Sequence, residues 1–322
     1  MSALHYLNQA SPHHGLLAGT APTTPFAHRL RVRKTLRRCR DAARLTREEL
    51  GARLDWSESK VLRIEVGHVG ISSTDAEAFL RACGICDPDI IAQVVASARA
   101  GRRRTGPFDG KYHDTMTANT REFYEHEQAA DQICYLQFAT IPDLLVRPAY
   151  AIATLARFQH ATDNQQQAHL DTLATRQTLL RPDGPLLTIV IDQGALERAI
   201  HAPIPYAAFA DQLTHLINIS QQSNISVHVL PLRICRQDNP ETPVLPLEHP
   251  AAACIPSCSF ALVSYDDEWS LFMPNIGDTL VRHHDPKDTP VYVEQFAHLQ
   301  WHFCLNPDDS RALISSFLSR RC

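Results

Sequence analysis

Residues 45–67, LTREELGARLDWSESKVLRIEVG, contain two short helix-forming segments separated by a brief interruption. Thr46 followed by Glu49 has the spacing of a capping box, which predicts that a helix begins just after Thr46. Leu50 and Leu54 stand four residues apart and give this helix an apolar side for packing. The stretch therefore opens with a helix whose start is defined by its own side chains.

The interruption Asp55-Trp56-Ser57 separates this helix from a second one. Ser57 is a favourable N-cap for a helix over Glu58–Val66, and Gly67 can end it in a left-handed conformation. Two short helices joined by such a turn are the layout of a helix-turn-helix, whose second helix enters the major groove of DNA. The residues available to pack this second helix against a core are Val61, Leu62 and Ile64.

Three further helices are predicted around this pair. A pattern of apolar residues predicts one over residues 29–43, and Thr74 can begin another. Asp87-Pro88 opens the last one, which runs to about Ala100, because proline is favoured in the first turn of a helix.

Domain boundaries follow from these helices and from shifts in composition. Residues 26–100 form the predicted helix-turn-helix domain, an all-α unit of five helices. Residues 1–25 are predicted to be a flexible tail, and residues 101–111, with three consecutive arginines and three glycines, a linker. Residues 112–322 are predicted to form a mixed α/β (α+β) effector domain, since helical and strand patterns both occur there.

Apolar periodicity predicts the elements of the effector domain. Helices are predicted over residues 117–131, 148–158, 164–180, 206–222, 293–304 and 307–320. Strands are predicted over Ile133–Phe138, Leu186–Asp192, Ser226–Leu230, Ser259–Val263 and Thr289–Val293. Residues 231–256 contain six prolines and little periodicity, and they are predicted to be irregular.

The distribution of charge separates the two domains more sharply than the net charge of −4 does. Phe26 to Arg104 hold 17 of the 31 Lys and Arg residues and 10 of the 35 Asp and Glu residues, a net charge of +7. The remainder of the chain carries −11. A basic module joined to an acidic body suggests a polyanionic partner for the first domain alone, while chance clustering of solvated surface charge is the alternative.

Residues 45–67 resemble the Xre, or lambda-repressor-like, helix-turn-helix family. Arg47 stands where that family usually has glutamine. Gly51 stands where it has a packing alanine, a change expected to weaken the helix by about 1 kcal/mol. The resemblance implies a DNA-binding regulator whose second helix of the pair reads bases. The positions that agree with the family are Thr46, Glu49, Leu50, Leu54, Ser57, Ser59, Ile64, Glu65 and Gly67.

Double-stranded DNA is accordingly the predicted partner of the first domain. The resemblance puts Glu58 and Ser59 against base edges, where a glutamate can accept a hydrogen bond from cytosine N4. Basic residues of the same helix can read guanine or hold phosphate, and those of the two preceding helices are candidates for phosphate contacts. A module that binds protein, with these charges merely solvated, is the alternative. The predicted DNA-contacting residues are Arg37, Arg38, Arg47, Ser57, Glu58, Ser59, Lys60 and Arg63.

The effector domain resembles the domain that follows this kind of helix-turn-helix in a large bacterial family common in high-GC bacteria. The family members are transcription regulators often encoded beside a very small partner protein, and some are antitoxin-like. The resemblance implies the same kind of partner here and assigns no chemistry to the domain. The residues that carry it are Glu127, Ile141 to Leu145, Pro148 to Ala151, Arg176, Gln177, Asp192 to Leu196, Asn224, Val227 to Pro231 and Ser310 to Ile314.

No motif in the sequence points to an enzyme. G-x-S-x-G, P-loop, H-E-x-x-H and G-x-G-x-x-G signatures do not occur, so no catalytic, cofactor-binding or metal-binding residues are predicted. Cys83 and Cys86 have Cys-x-x-Cys spacing without a second pair of ligands, and we interpret them as two buried small side chains. A weaker zinc candidate, whose spacing is not diagnostic, comprises His249, Cys254, Cys258 and His283 to Asp285.

Composition also indicates the compartment. Nine scattered cysteines argue against a disulfide framework and favour a reducing, cytoplasmic location. No apolar run approaches the roughly 20 residues needed to span a bilayer, and the N-terminal residues lack the pattern of a signal peptide. No membrane partner is expected.

These features predict a sequence-specific transcriptional regulator. One helix-turn-helix module buries too little surface for high specificity, which favours a homodimer on a palindromic operator. The effector domain would dimerise, or bind a small molecule or a small protein. Such binding would alter the spacing of the two helix-turn-helix modules of the dimer. The alternative is an antitoxin-like interaction protein that sequesters a small partner protein and uses DNA binding to regulate its own operon.

Overall fold

The computed structural model describes residues 24–102, 108, 116–159, 162–233, 256, 258–275, 278–283 and 287–320. The described chain divides into two compact units, one within residues 12–111 and one within residues 112–322. The first is all-helical and the second is a mixed sheet with helices, which confirms the predicted fold class. Most of the predicted tail, linker and proline-rich segment lies outside the described residues.

The helical domain contains five helices over its described residues. α1 starts four residues earlier than the apolar pattern predicted. Thr24 caps it, and Pro25 occupies the first turn, where the missing N–H has no helical partner to lose. The helices are α1 (Pro25–Ala42), α2 (Arg47–Leu54), α3 (Glu58–Val66), α4 (Ser73–Ala82) and α5 (Pro88–Gly101). Their N-caps, each accepting a hydrogen bond from the first turn, are Thr24, Thr46, Ser57, Ser72 and Asp87.

Every one of these helices contributes to an apolar core. Trp56, in the turn between α2 and α3, packs against the same core, and its ring centroid lies 6.5 Å from that of Phe79. The turn is thus attached to the core by its own aromatic side chain, which restrains the angle between α2 and α3. Core members, one from each helix in turn, are Leu36, Leu50, Ile64, Phe79 and Val94.

The second domain contains six strands and seven α-helices over its described residues. Two short 3-10 turns, Asp143–Leu145 and Gln177–Leu179, precede α7 and follow α8. In chain order the elements are α6 (Ala118–Ala129), β1 (Gln132–Gln137), α7 (Pro148–Gln159), α8 (Asp163–Arg176), β2 (Leu186–Asp192), α9 (Gln193–His201), α10 (Tyr206–Ile219), β3 (Ile225–Leu230), β4 (Phe260–Tyr265), β5 (Glu268–Asn275), β6 (Asp278–Arg282), α11 (Asp288–Phe303) and α12 (Pro307–Arg320).

The strands form one mixed sheet in the order β3-β2-β1-β4-β5-β6. β1, β2 and β3 are parallel, since α7 and α8 connect the first pair and α9 and α10 connect the second. β4 pairs antiparallel with β1, and β4, β5 and β6 continue as antiparallel neighbours. Parallel strands linked by helices and a terminal antiparallel set together make the α+β body that the sequence predicts.

Helices cover both faces of this sheet. Cys134 and Leu136 of β1 pack in one cluster with Val293 and Phe296 of α11. Tyr135, between them, points to the opposite face because successive side chains of a strand alternate. There it meets Phe123 of α6, with ring centroids 6.3 Å apart.

One predicted strand is wrong. Thr289–Val293 contains β-branched and aromatic residues of the kind that favour strands, but the segment forms the first turns of α11. Pro290 is tolerated there because the first turn of a helix has N–H groups without helical partners. Val293, Phe296 and Leu299 recur at helical spacing and pack on the sheet, so tertiary packing selects the helix.

Two strands, β5 and β6, and the helix α9 were not predicted. β4 and β5 are joined by Asp266 and Asp267, whose φ angles of 51° and 65° are those of a tight two-residue hairpin turn. An Asp-Asp pair lacks the glycine that usually signals such a turn, which is why the hairpin is hard to find in the sequence.

Candidate nucleic-acid interface

The start of α2 is closed by the capping box that the sequence predicts. The hydroxyl of Thr46 accepts a hydrogen bond from the backbone N–H of Glu49 at 3.1 Å, and the Glu49 carboxylate accepts one from the Thr46 N–H at 2.8 Å. The hydrogen bonds that this carboxylate accepts from Thr46, chiefly the one from the backbone N–H, hold the pKa of Glu49 below its usual range. Arg47, the first residue of the helix, is thereby held at a defined position.

The turn between α2 and α3 depends on a glycine. Asp55 ends α2 in a left-handed conformation with φ of 56°, and the Trp56 N–H donates to the Gly51 carbonyl at 2.8 Å. A Cβ atom at Gly51 would lie 2.6 Å from the Trp56 carbonyl oxygen. The expectation that alanine would serve better here is therefore corrected. The close approach of the following turn requires a residue without a side chain.

α3 has one buried and one exposed side. Val61 and Ile64 are buried, as predicted. Leu62 was predicted to pack beside them, but it is 41% exposed, because one residue beyond Val61 lies about 100° further around the helix. The exposed residues of α3 are Glu58, Ser59, Leu62, Arg63 and Val66.

Two predicted DNA-contacting residues at the start of α3 also have partners within the domain. The Ser57 hydroxyl accepts a hydrogen bond from the Lys60 N–H at 3.2 Å and so caps the helix. The Lys60 ammonium lies over the Trp56 ring, 3.6 Å from its centroid, and 3.8 Å from a carboxylate oxygen of Asp75. Lys60 therefore covers the aromatic residue of the turn, while Glu58 and Ser59 project from the exposed side.

A buried carboxylate joins three helices behind this surface. Glu65 of α3 accepts hydrogen bonds from Arg40 of α1 at 2.6 and 3.1 Å and from the Nε of Arg47 of α2 at 2.8 Å. The hydrogen bond to Glu65 raises the pKa of Arg40 above its ordinary value. Glu65 holds the Nε of Arg47, while 36% of the Arg47 side chain is exposed to solvent at the N-terminus of α2.

The remaining candidates lie on α1. Arg37 is exposed, with its Nε 3.8 Å from a carboxylate oxygen of Asp41. It lies one helical turn from Arg33, which donates to the Val66 carbonyl at 3.1 Å, and one turn from Arg40. Arg37 thus shares the side of α1 that contacts α3. Arg38, the next residue, is half-buried and lies about 100° around the helix from Arg37.

Sequence reasoning missed the residues that hold α3 in place. Glu65 was noted only as a family position, and Arg33 and Arg40 were counted as general basic charge. A signal does exist in the chain, since Arg33, Arg37 and Arg40 recur at intervals of four and three residues. That spacing indicates a basic side of α1, but it does not reveal which acid lies opposite.

Of the two cysteines in the Cys-x-x-Cys motif, one is buried as predicted and the other is not. Cys83 is buried, and burial raises the pKa of its thiol to about 12. Cys86 is exposed, since the chain turns at Gly84, whose φ is 85°, and it is Ile85 that packs against the core after this turn. Among the described residues, no group of three or more His, Cys, Asp or Glu side chains is placed to hold a metal ion. His249, Cys254, His284 and Asp285 of the weaker zinc candidate lie outside the described residues.

In the second domain, the polar residues that carry the family resemblance support the fold. Glu127 is fully buried and accepts hydrogen bonds from Arg176 at 2.7 and 2.9 Å and from the Tyr135 hydroxyl. The side-chain amide of Gln177 donates to two carbonyl groups of the 144–146 segment at 3.1 and 2.8 Å. These contacts tie α6, β1 and α8 together and attach the loop before α7.

Comparisons with known proteins agree with this division of the chain. Residues 31–93 match the family described as "Helix-turn-helix domain", and residues 120–316 match that described as "Domain of unknown function (DUF5753)". No curated protein and no solved structure matches the chain. Within the described residues, no helix has both the length and the apolar character needed to cross a membrane. The helix-turn-helix match and the geometry of α2 and α3 indicate a DNA-binding regulator.

Proposed function

Since the chain belongs to the DUF5753 family and carries a helix-turn-helix domain ahead of that domain, we propose that it is a sequence-specific transcriptional regulator of the Xre type. The observation that carries the proposal is the two-sided nature of α3. Its back is held by Val61, Ile64 and the buried Glu65, while its N-terminal outer residues project into solvent. A rigid helix with exposed polar groups at its N-terminus is what reading the major groove requires.

The proposed contacts divide into reading and positioning. Glu58 and Ser59 contact base edges, with the glutamate accepting a hydrogen bond from cytosine N4, and Arg63 reaches guanine or phosphate. Arg47 contacts a phosphate, because Glu65 orients its guanidinium at the N-terminus of α2, where the helix dipole also favours an anion. Phosphate contacts of this kind set the register of the protein on DNA and supply most of the salt dependence.

The same proposal assigns supporting roles to the remaining predicted residues. Arg37 and Arg38 lie next to the side of α1 that holds α3, and we propose them as further phosphate contacts. Lys60 covers Trp56 and can rotate from that ring toward DNA, while Ser57 acts first as the cap of α3. A homodimer on a palindromic operator accompanies the proposal, because one module of this size covers too little DNA for high specificity.

For the second domain we propose a non-enzymatic regulatory role, in which a small molecule or a small protein binds it and alters DNA affinity. The charge of −11 outside residues 26–104 favours a basic small protein. In the antitoxin-like form of this proposal, that domain sequesters the small protein and DNA binding regulates the operon. Co-expression with the products of neighbouring reading frames tests it. A complex of fixed stoichiometry that changes DNA affinity supports the role, and unchanged affinity with every product contradicts it.

The DNA-reading proposal is tested by selecting bound duplexes from a random pool with the full chain. Fluorescence anisotropy across a salt series then compares wild type with Glu58→Ala/Ser59→Ala. We expect steep salt dependence for both proteins and a loss of at least tenfold in preference over random DNA for the double variant. Glu77→Ala, which removes an exposed carboxylate on α4, is the control and should keep the wild-type preference. Equal preference in all three proteins would refute the assignment of α3 as the reading helix.

A further inference from the structure

An apolar side chain stands in the middle of the proposed reading surface. Leu62 is 41% exposed and lies four residues after Glu58, on the side of α3 that faces away from the core. Val66, one turn further, is 38% exposed. Single exposed leucines are common on protein surfaces, but this one is flanked on its own helix face by the residues proposed to contact bases.

The position of Leu62 has a direct counterpart in the chemistry of the major groove. Thymine is the base whose edge in that groove carries a methyl group, and apolar side chains contact it. Leucine has no side-chain donor or acceptor, so it cannot satisfy the polar edges of guanine, cytosine or adenine. Burying it against any of them would leave their hydrogen-bonding groups unpaired.

From these observations we infer that Leu62 is a specificity-determining residue that contacts the 5-methyl group of a thymine. The inference rests on the proposed function, since it needs α3 to lie in the major groove. Four residues of helix advance about 6 Å along the axis, roughly two base-pair steps. The thymine therefore lies within about two base pairs of the base contacted by Glu58.

The test uses the full chain and the duplex enriched from a random pool. Each thymine of one half-site is replaced in turn by deoxyuridine, which lacks only the methyl group, and affinities are measured for wild type, Leu62→Ala and Val66→Ala. When deoxyuridine replaces thymine at one or two of these positions, wild type should bind the duplex about fourfold more weakly than the unsubstituted one. Burying one methyl group is worth about 0.8 kcal/mol, and 1.4 kcal/mol is a factor of ten in affinity. Leu62→Ala should show no such loss at those positions.

Val66→Ala is the matched control, since it shortens an equally exposed apolar residue of the same helix. Val66→Ala should still bind the deoxyuridine-substituted duplex about fourfold more weakly than the unsubstituted one. The comparison of ratios remains valid even if Leu62→Ala lowers overall affinity, because each protein is compared with itself on two DNAs. The inference is overturned if wild type tolerates deoxyuridine at every thymine, or if Leu62→Ala keeps the loss. In either case sequence-specific binding itself still stands, whereas a selection that enriches no sequence removes the proposed function as well.

Discussion

The glycine before the helix-turn-helix turn provides the sharpest test of the structure. Alanine is favoured over glycine in a helix by about 1 kcal/mol, so helix propensity predicts that Gly51→Ala stabilises α2. The structure predicts the opposite sign. The new Cβ would lie 2.6 Å from the carbonyl oxygen of Trp56, whereas an ordinary contact lies at 3.4–4 Å. That oxygen belongs to the backbone of the turn and cannot rotate away.

The magnitude follows from these two opposing effects. Overpacking a well-filled site costs about 1–3 kcal/mol, and contact with backbone places this site toward the upper end. Subtracting the gain in helix propensity leaves Gly51→Ala about 1–2 kcal/mol less stable than wild type. Because the Trp56 carbonyl must shift, the angle between α2 and α3 should change as well, and DNA affinity should fall.

Hydrogen exchange measured by mass spectrometry on the full chain isolates this effect. Peptides within residues 47–66 should exchange about tenfold faster in Gly51→Ala, since 1.4 kcal/mol is a factor of ten. Gly70→Ala is the matched control, because its Cβ would have no atom within 4 Å. It should be neutral or slightly stabilising, as the added methyl restricts the unfolded chain. Unchanged or slower exchange in Gly51→Ala would refute the steric reasoning.

Three other outcomes are expected from the described contacts. Arg47→Ala should lower the slope of log affinity against log salt by about 0.9 for each bound copy, and an unchanged slope would mean that the guanidinium held by Glu65 does not reach phosphate. Glu127→Gln leaves the buried Arg176 with a weaker partner and should destabilise the second domain by about 3–5 kcal/mol. The amide hydrogens of β1 should then exchange faster than in wild type, and an unchanged rate would contradict the role of this pair. Burial lowers the pKa of His228 in the folded protein. The stability that this histidine contributes should therefore be complete above about pH 6.5 and be lost as the pH falls toward the lowered native pKa. In urea denaturation measured across a pH series, His228→Gln should reduce this loss of stability at acid pH.

The state of this histidine follows from its two hydrogen-bond partners. His228 lies in β3, with Nδ1 3.0 Å from the Leu305 carbonyl and Nε2 3.2 Å from the side-chain nitrogen of Gln300. Neutral imidazole satisfies both, because Nδ1–H donates to the carbonyl and Nε2 accepts from the amide. Protonation would place a second N–H against the amide donor. A stability that does not depend on pH between 5 and 7 in wild type would contradict this arrangement.

Short-range signals in the sequence were sufficient to predict where α2 begins and where α3 begins and ends. Thr46 with Glu49, Ser57, and Gly67 act on backbone groups within four residues, so their effect is independent of the rest of the fold. The parallel strands β1, β2 and β3 were also predicted from the local sequence, because most of their residues are buried and the strands are therefore predominantly apolar. The family resemblance extended these local predictions to both domains.

Contacts between distant residues decided what the sequence alone left undetermined. Glu65 and Arg40 are 25 residues apart, and nothing in either segment indicates that they share a buried site. Thr289–Val293 becomes helical because its apolar residues pack on the sheet at helical spacing, and Leu62 is exposed because the core ends at Val61 and Ile64. Capping acts within one turn of chain, whereas burial depends on every element that packs around a side chain. The ends of α3 were therefore determined locally, and the side chains that it exposes to solvent were determined only by the assembled domain.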